Sequence, residues 1–489
     1  MTHTPNNEKL KANPISLDNL NETQRNTLET ANMSDEGNAE RLQAILQNTW
    51  RYVDEIGHLL WNGKLWERVE DDTIRTKFVE IMRLTATHTS SESLKKHCMR
   101  SENRVVALRA VHNARTYPTI KLPRERLNQD PDRLNVNNGM IHLPTGKLGP
   151  HDPHAFSTHI IPIDFDPHAN HWAFTQTTTH LKDNGIEDAL QCIAGSCLSG
   201  HHEKRFWIMT GPSNTGKSTL IQALTAVLKG YAANVAPETF NQQPTKAGQA
   251  RADLIKLEGK RAVFTAELDG AVNDSLIKRM TGWDGIHIRG LYEKEEKSIP
   301  STWTSIAHAN QAPKFQRLDS GLQSRVTPIP ITTPPTHIDP SIREELQHNP
   351  EAQKALLAWA VQGAQTWYAN HKTTPLPPHI EHAQNEFIKH TNPIDAWAHE
   401  RLTFQNPAWT ANETLHNDLT HWCEHHDINP PTPQKLGQWL KRQPQTITGN
   451  PARRNGVRGT ENVSLRTPNI NEQQTQHEEI DGFDGFDDV

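Results

Sequence analysis

The sequence predicts an α/β fold with a mostly parallel sheet at its centre. The apolar run FWIMT at 206–210 leads into a glycine-containing loop and then into the helical stretch STLIQALTAVL. Three further apolar runs, RAVFTAEL, WTSIAHAN and VTPIPI, are short and separated by helical stretches, which is typical of buried parallel strands. Because a chain of 489 residues is too long to fold around one ordinary hydrophobic core, we expect about two to four domains.

The front of the chain predicts a small mixed α/β domain. Residues 1–37 are rich in Asn, Thr and charges, so we expect a disordered leader. From Asn38 the run AERLQAILQNTWRYV predicts a helix, and IGHLLWNGKLWERV predicts a hairpin around Asn62-Gly63. A second strand-turn-strand signal lies at 134–148. We place this domain at 38–180, before a sheet-containing domain with a helical extension at 181–400.

The C-terminal part predicts a small basic domain at 405–468. ANETLHNDLTHWCEHH and TPQKLGQWLKRQ predict two helices, followed by a glycine-rich hairpin. Seven Lys or Arg against one acid lie between Gln434 and Arg466. A helix-turn-helix with a basic hairpin can bind duplex phosphates, although a protein-interaction domain remains the alternative. The candidate DNA contacts here are Arg453, Arg454 and Arg458.

Charge is unevenly distributed along the chain. The net charge is −6, and the last twelve residues, EEIDGFDGFDDV, hold six carboxylates, so the rest of the chain is neutral. We expect 469–489 to be an acidic disordered tail. It would solubilise the protein, dock Phe483 and Phe486 on a partner, or fold back on the basic 434–466 segment.

Composition also indicates in which cellular compartment the protein is found. The four cysteines include no CxxC pair, so we expect reduced thiols rather than a disulfide framework. The 28 histidines are scattered without zinc spacing. The sequence contains neither a membrane-spanning apolar run nor a signal peptide. We therefore expect a cytoplasmic protein with no membrane partner.

The loop after FWIMT carries the strongest chemical signal. Residues 211–218 fit GxxxxGK followed by Ser or Thr. Glycines let backbone N–H groups converge on phosphate, the lysine reaches the β and γ phosphates, and the hydroxyl binds Mg²⁺. The sequence therefore predicts a site for ATP and Mg²⁺. The predicted nucleotide contacts are Gly211, Pro212, Ser213, Asn214, Thr215, Gly216, Lys217, Ser218 and Thr219.

Polar residues at the ends of predicted strands complete this prediction. Glu267 ends RAVFTAE and would either hold Mg²⁺ with Ser218 or activate water. Asp269 is the weaker candidate for this role, and the alternative is that Glu267 is only a solvated residue at the end of a strand. Asn310 would orient the attacking water or serve only in a turn. Arg325 would be an arginine finger or an exposed surface residue.

The order of these pieces resembles the phage/plasmid primase-helicase family, whose motor belongs to the superfamily 3 helicases. The similar segments are GHHEKRFWIMTGPSNTGKSTL, LEGKRAVFTAELD, LIKRMTGWDGIHIRGLYEKEEKSI, STWTSIAHANQAPKF and SRVTPIPI. Upstream, DRLNVNNGMIHLPTGKLGPHDP and IDFDPHAN are similar to the domain before the motor, which poxvirus primase-helicases share. The resemblance covers roughly residues 45–400.

This resemblance implies an AAA+-like P-loop ATPase that forms a hexameric ring and moves DNA 3′ to 5′. Lys217 and Ser218 would hold phosphate and magnesium, Glu267 would be the acidic strand-end residue, Asn310 the sensor, and Arg325 would act on the neighbouring subunit's ATP. The resemblance also implies a DNA-contacting hairpin and a C-terminal winged helix. The hairpin candidates are Lys278, Arg279, Arg289 and Lys294.

Three features depart from the family. Leu268 separates Glu267 from Asp269, where paired acids are common, and Ile331-Thr332 stands where many members have phenylalanine. The polar leader is too short for an upstream primase domain, so we expect primase activity from a separate chain.

Three functions are compatible with the sequence. The first is an ATP-dependent replicative helicase of a phage, satellite or plasmid, acting in a bacterial host cytoplasm. The second is an ATP-switched origin-binding scaffold without processive unwinding. The third, a small-molecule phosphotransferase, is disfavoured because the sequence indicates no acceptor pocket or lid.

Overall fold

The computed structural model describes residues 15–240, 252–268, 271–289, 296–311, 313–315, 320–405 and 407–466. Asp269, Lys294 and the acidic tail with Phe483 and Phe486 lie outside the described residues.

The front of the chain packs five helices on a three-stranded antiparallel sheet. The sheet has the order β1-β2-β3. The helices are α1 (Glu22–Thr30), α2 (Asp35–Leu46), α3 (Asp71–His88), α4 (Glu92–Ser101) and α5 (Arg104–Ala114), and the strands are β1 (Trp50–Val53), β2 (Gly57–Trp61) and β3 (Trp66–Val69).

Part of the predicted disordered leader is ordered. Helix α1 begins with a capping box between Asn21 and Gln24, and Leu28 is buried in the front core. The fully buried Arg41 guanidinium donates to the carbonyl oxygens of Leu28 and Ala31. These long-range contacts order a polar segment whose composition alone indicates disorder.

The predicted helix from Asn38 is shorter than expected. It ends at Leu46, and WRYV forms β1, in which Trp50 pairs with Leu60 of β2. Trp50 is fully buried, so sheet pairing and burial override the helical periodicity. The predicted hairpin is present as β2 and β3, with Trp61 opposite Trp66.

A second antiparallel sheet follows. It consists of β4 (Arg133–Val136), β5 (Gly139–His142) and β6 (Lys147–Gly149). The sequence predicted two strands joined by a turn here, and the structure contains three. Helix α6 (Trp172–Asp183) comes after this sheet. Leu134 and Ile141 share one buried cluster with Trp207 and Phe264 of the central region. The core therefore continues across the predicted boundary near residue 180.

The central sheet confirms the α/β prediction. Its five strands have the order β15-β7-β13-β9-β8, and every neighbouring pair is parallel. The strands of this region are β7 (Phe206–Thr210), β8 (Ala232–Val235), β9 (Ala262–Thr265), β10 (Ala271–Val272), β11 (Ile286–Arg289), β12 (Glu296–Ile299), β13 (Thr304–Ala309), β14 (Lys314–Phe315) and β15 (Val326–Pro330). The four predicted strands are present, whereas β8 was not predicted because AANV is short and weakly apolar.

Helices flank this sheet. They are α7 (Glu187–Ser196), α8 (Lys217–Leu228), α9 (Ala252–Ile255), α10 (Asp274–Met280), α11 (Ser320–Gln323), α12 (Pro340–His348), α13 (Pro350–Ala369) and α14 (Pro378–Thr391). Helices α7 and α13 lie in close contact, since a Cβ on Gly195 would meet the Ala364 backbone N at 2.0 Å. The buried Arg261 also donates to the carbonyl oxygens of Leu198 and Arg133, which joins the second antiparallel sheet to the central one.

The C-terminal part has its own small core. Its sheet β17-β19-β18 is antiparallel, and a second pair joins β16 to β20. Leu415, Trp422 and Leu436 are buried between the helices. The elements are α15 (Pro393–Arg401), β16 (Leu402–Thr403), β17 (Trp409–Ala411), α16 (Asn412–His425), α17 (Pro433–Arg442), β18 (Ile447–Arg454), β19 (Val457–Glu461) and β20 (Ser464–Leu465).

Among the described helices, none has both the length and the apolar content of a membrane span.

Candidate nucleotide-binding site

A cavity of about 450 Å³ lies at the carboxyl edge of the central sheet. It brings together the loop between β7 and α8, Glu267 after β9 and Asn310 after β13. In open α/β sheets, ligands bind in the crevice outside the carboxyl ends of the strands. Three segments that the sequence predicts to act together therefore converge on one cavity.

The loop is shaped by its glycines. Gly211 has φ 143° and packs so tightly that an added Cβ would lie 2.1 Å from the Ile331 carbonyl oxygen. Gly216, at the N-cap of α8, has φ 84°, and Asn214 has φ 65°. Such conformations favour glycine or asparagine. They bring backbone N–H groups to the N-terminus of α8, where anions bind readily.

Lys217 is 5% exposed and lies inside the loop. Its Nζ donates to the carbonyl oxygens of Gly211 at 2.7 Å and Pro212 at 2.6 Å, and to Thr215 Oγ1 at 3.1 Å. Burial lowers the pKa of Lys217 from its usual value. Residues 213–219 line the cavity, whereas Gly211 and Pro212 contact Lys217 instead. The loop thus holds its ammonium group beside the cavity, and within the described part of the chain no carboxylate pairs with it.

Two oxygen donors in the cavity suit a magnesium ion. Ser218 lies in the first turn of α8 and Glu267 follows β9, and both are exposed and line the cavity. Magnesium is held by one or two protein oxygens together with phosphates and waters. This donor set therefore fits Mg²⁺ bound with a nucleotide.

Glu267 and Asn310 follow adjacent parallel strands. Leu268 N–H donates to the His308 carbonyl oxygen at 2.9 Å, which joins the end of β9 to β13. Glu267 has φ 47°, in the left-handed region, and Asn310 is exposed. A strained residue is a common feature of functional sites.

The cavity is also lined by residues that the sequence did not predict to belong to the site. His180 Nε2 on α6 donates to the Thr215 carbonyl oxygen at 3.1 Å, and Gln176 and Thr177 of the same helix line the cavity. The exposed Arg343 of α12, a helix that packs against α6, also lines it. These residues lie far from the loop in sequence, and neither segment carries a motif that would have identified it.

Arg325 does not line this cavity. It precedes β15, and its carbonyl oxygen accepts from Phe206 N–H at the start of β7, so it lies at the amino edge of the sheet. Its Nη1 donates to the Lys278 carbonyl oxygen at 2.6 Å and to Thr281 Oγ1 at 3.2 Å. A five-residue strand, roughly 16 Å long, separates this edge from the loop between β7 and α8.

The predicted DNA contacts form two groups. Lys278 and Arg279 end α10, where Arg279 is exposed, just before the antiparallel pair β11 and β12. The backbone of Arg289 lies in β11, whereas its side chain and Lys294 lie outside the described residues.

The second group lies on the β18-β19 hairpin, where all three predicted arginines are exposed. Arg453 faces Arg458 across the strands, and Arg454 lies 3.5 Å from Glu461 and over the Trp409 ring. Like charges on paired strands repel each other. The hairpin therefore presents a positive surface that a phosphate backbone would neutralise.

The front segment of the chain is similar to a known protein family. Residues 39–180 match the family model described as D5 N terminal like. This is the segment that the sequence analysis compares with the domain before a primase-helicase motor. The match ends within α6, at His180.

The structural similarities are distant, and no curated protein matches the sequence. Two apo structures of the NrS-1 C-terminal region each cover 85% of this chain and 96% of their own, at 10% and 9% identity and a TM-score of 0.41. A further A-form apo structure of the same region covers 65% of this chain and 88% of its own, at 12% identity and a TM-score of 0.36.

Proposed function

We propose that this chain is an ATP-dependent replicative DNA helicase of superfamily 3, from a phage, satellite or plasmid replication module. The observation that carries the proposal is the cavity shared by residues 213–219, Glu267 and Asn310 at the carboxyl edge of a parallel sheet. The D5 N terminal like match at 39–180 supports a role in replication.

Each group of residues in the cavity would have a different role in ATP hydrolysis. The loop N–H groups and Lys217 would bind the β and γ phosphates, and Ser218 and Glu267, which line the cavity, would hold Mg²⁺. Bound magnesium would neutralise charge that develops on the phosphates. Glu267 accepts a proton from the attacking water or aligns it, and Asn310 orients that water.

Arg325 supports a ring with shared sites. It lies at the sheet edge opposite the phosphate loop, so its guanidinium would serve the ATP of a neighbouring subunit and not its own. A closed ring, a hexamer in this proposal, repeats this heterologous contact at every interface. The Arg325 hydrogen bonds to Lys278 and Thr281 would then connect the interface to the hairpin proposed to contact DNA.

DNA binding would use both basic groups. Lys278 and Arg279 of α10, Arg289 of β11, and Lys294 further along the sequence would contact phosphates in the ring channel. The C-terminal helices α16 and α17 with the β18-β19 hairpin would act as a winged helix on duplex DNA. A separate primase or host replication protein would bind through the acidic tail.

A strand-displacement assay on forked DNA with Mg-ATP tests this function. The wild-type protein should release the displaced strand with 3′ to 5′ polarity, and Lys217→Ala should not. DNA-dependent ATP turnover without displacement would instead support an ATP-switched origin-binding scaffold. The exposed arginines of the β18-β19 hairpin favour that second candidate because they suit duplex phosphates without requiring translocation.

A further inference from the structure

An exposed tryptophan lies in the turn between α10 and β11, residues 281–285. Trp283 is 63% exposed. Its ring packs against His202, with the two ring centroids 4.4 Å apart and the planes inclined at 44°. His202 precedes β7 and is only 4% exposed. The indole is therefore supported by a buried ring, while most of its own surface stays open to solvent.

The turn that carries Trp283 is fixed by close packing. Gly285 has φ 70°, and an added Cβ there would lie 2.4 Å from the Ile299 carbonyl oxygen. At the start of the turn, Arg325 Nη1 donates to Thr281 Oγ1 at 3.2 Å. A fixed backbone lowers the conformational entropy that is lost on binding. The structure thus presents Trp283 to solvent in a defined position.

Positive charge lies beside the indole. Lys204 Nζ is 5.7 Å from the centroid of the Trp283 ring, and Lys204 forms no ion pair with another described residue. The neighbouring Glu203 is paired with Arg205 Nε at 2.7 Å. Asp284 is exposed in the same turn and would repel a phosphate. An anion beside the indole would therefore bind on the side where Lys204 lies.

An open aromatic face beside such a cation matches single-stranded nucleic acid. Proteins that bind single strands stack the bases on aromatic side chains and bind the backbone with positive charge. Trp172 provides a contrast within this chain. It is 45% exposed and lies 5.7 Å from the His171 ring, but among the described residues no cation lies over it. Of these two exposed tryptophans, Trp283 alone combines the features of a stacking site.

We propose that Trp283 stacks on a base of single-stranded DNA, with Lys204 binding an adjacent phosphate. This inference rests on the proposed function, and it adds a contact to a base beside the phosphate contacts of Lys278 and Arg279. Stacking has little sequence preference, because every base has an aromatic face. Such a contact suits a protein that moves along DNA of any sequence.

Fluorescence anisotropy of the full chain with two labelled single strands tests this assignment. One strand is an oligothymidylate, and the other is an abasic strand of the same length, which has the phosphates without the bases. Trp283→Ala should raise the Kd of the oligothymidylate about tenfold, as expected for the loss of one stacked base. The Kd of the abasic strand should change by less than about twofold. Trp283→Phe keeps an aromatic face and should recover part of the affinity.

Matched controls separate this result from other causes. Trp172→Ala removes the other exposed tryptophan and should leave both affinities unchanged. Lys204→Ala should weaken the binding of both strands, because it removes a phosphate contact.

Three outcomes would contradict the proposal. Equal Kd values of the oligothymidylate for wild type and Trp283→Ala, or an equal loss for both strands, would overturn base stacking while leaving the proposed function intact. A change in the assembly of Trp283→Ala without DNA, measured by light scattering, would overturn it as well, since the indole would then contact a second copy of the chain. If the wild-type protein bound neither strand, the proposed function would fail, and the stacking site with it.

Discussion

His180 on α6 and Thr215 in the loop between β7 and α8 are joined by a hydrogen bond of 3.1 Å between Nε2 and the carbonyl oxygen. The bond crosses from the segment that matches the D5 N terminal like model to the loop that begins α8. Lys217 Nζ binds the Gly211 and Pro212 carbonyl oxygens within the loop, and the His180 bond adds a contact from a different helix, so it contributes to the shape of the loop.

His180→Ala should therefore weaken nucleotide binding without unfolding the protein. Loss of one hydrogen bond costs about 1 kcal/mol, which corresponds to about a fivefold rise in Kd for an ATP analogue. His180→Gln retains an N–H donor and should recover part of the affinity. Equal Kd values for wild type and His180→Ala in a calorimetric titration would show that the bond does not order the loop.

Lys217→Ala should abolish ATP turnover and leave the fold intact. The ammonium binds the carbonyl oxygens of Gly211 and Pro212, which can accept from water once the side chain is removed. We expect a change in unfolding free energy of about 1 kcal/mol or less, measured by thermal denaturation, alongside the loss of phosphate release. Hydrolysis at the wild-type rate would refute the motor proposal.

Glu267→Gln should bind ATP but hydrolyse it slowly. The amide preserves the shape of the exposed side chain and removes the charge proposed to activate water, so we expect a loss of about 100-fold or more in turnover. Nucleotide affinity and steady-state turnover should be measured on the same preparation. If turnover persists, Asp269→Asn becomes the informative variant.

Arg325→Ala should lose hydrolysis in the assembled protein, and mixing it with Lys217→Ala should restore part of the activity. Sites with an intact lysine from one subunit and an intact arginine from the next would form at some mixed interfaces. Because Arg325 also binds Lys278 and Thr281 within its own chain, Arg325→Lys is a necessary comparison for stability. No recovery under conditions of subunit exchange would contradict action in trans.

Deletion of residues 477–489 should distinguish three roles of the acidic tail. These residues contain all six carboxylates of EEIDGFDGFDDV. If the tail competes with DNA for the basic C-terminal domain, the deletion should tighten DNA binding at low salt and have little effect at high salt. Unchanged DNA binding together with a loss of replication in cells would indicate that the tail binds a partner protein. No change in DNA binding or replication would indicate that the tail only keeps the protein in solution. DNA affinity is measured by fluorescence anisotropy across a salt series.

The sequence by itself determined the features that depend on local backbone geometry. A strand, a glycine-containing loop and a helix in direct succession specify the loop between β7 and α8, since positive φ at Gly211 and Gly216 favours that residue type. Apolar runs of strand length predicted four of the five parallel strands. Glu267 and Asn310 were predictable because the carboxyl ends of parallel strands meet at one edge.

The tertiary structure decided what depends on contacts between distant residues. Burial of Trp50 turned a helical pattern into a strand, and the Arg41 hydrogen bonds ordered a leader that composition marks as disordered. Only packing brings Gln176 and Ile338 to one cavity and places Arg325 at the opposite sheet edge. The pattern of side chains along the sequence predicts local conformation. Which distant segments come into contact depends instead on how whole helices and strands pack their apolar faces against one another.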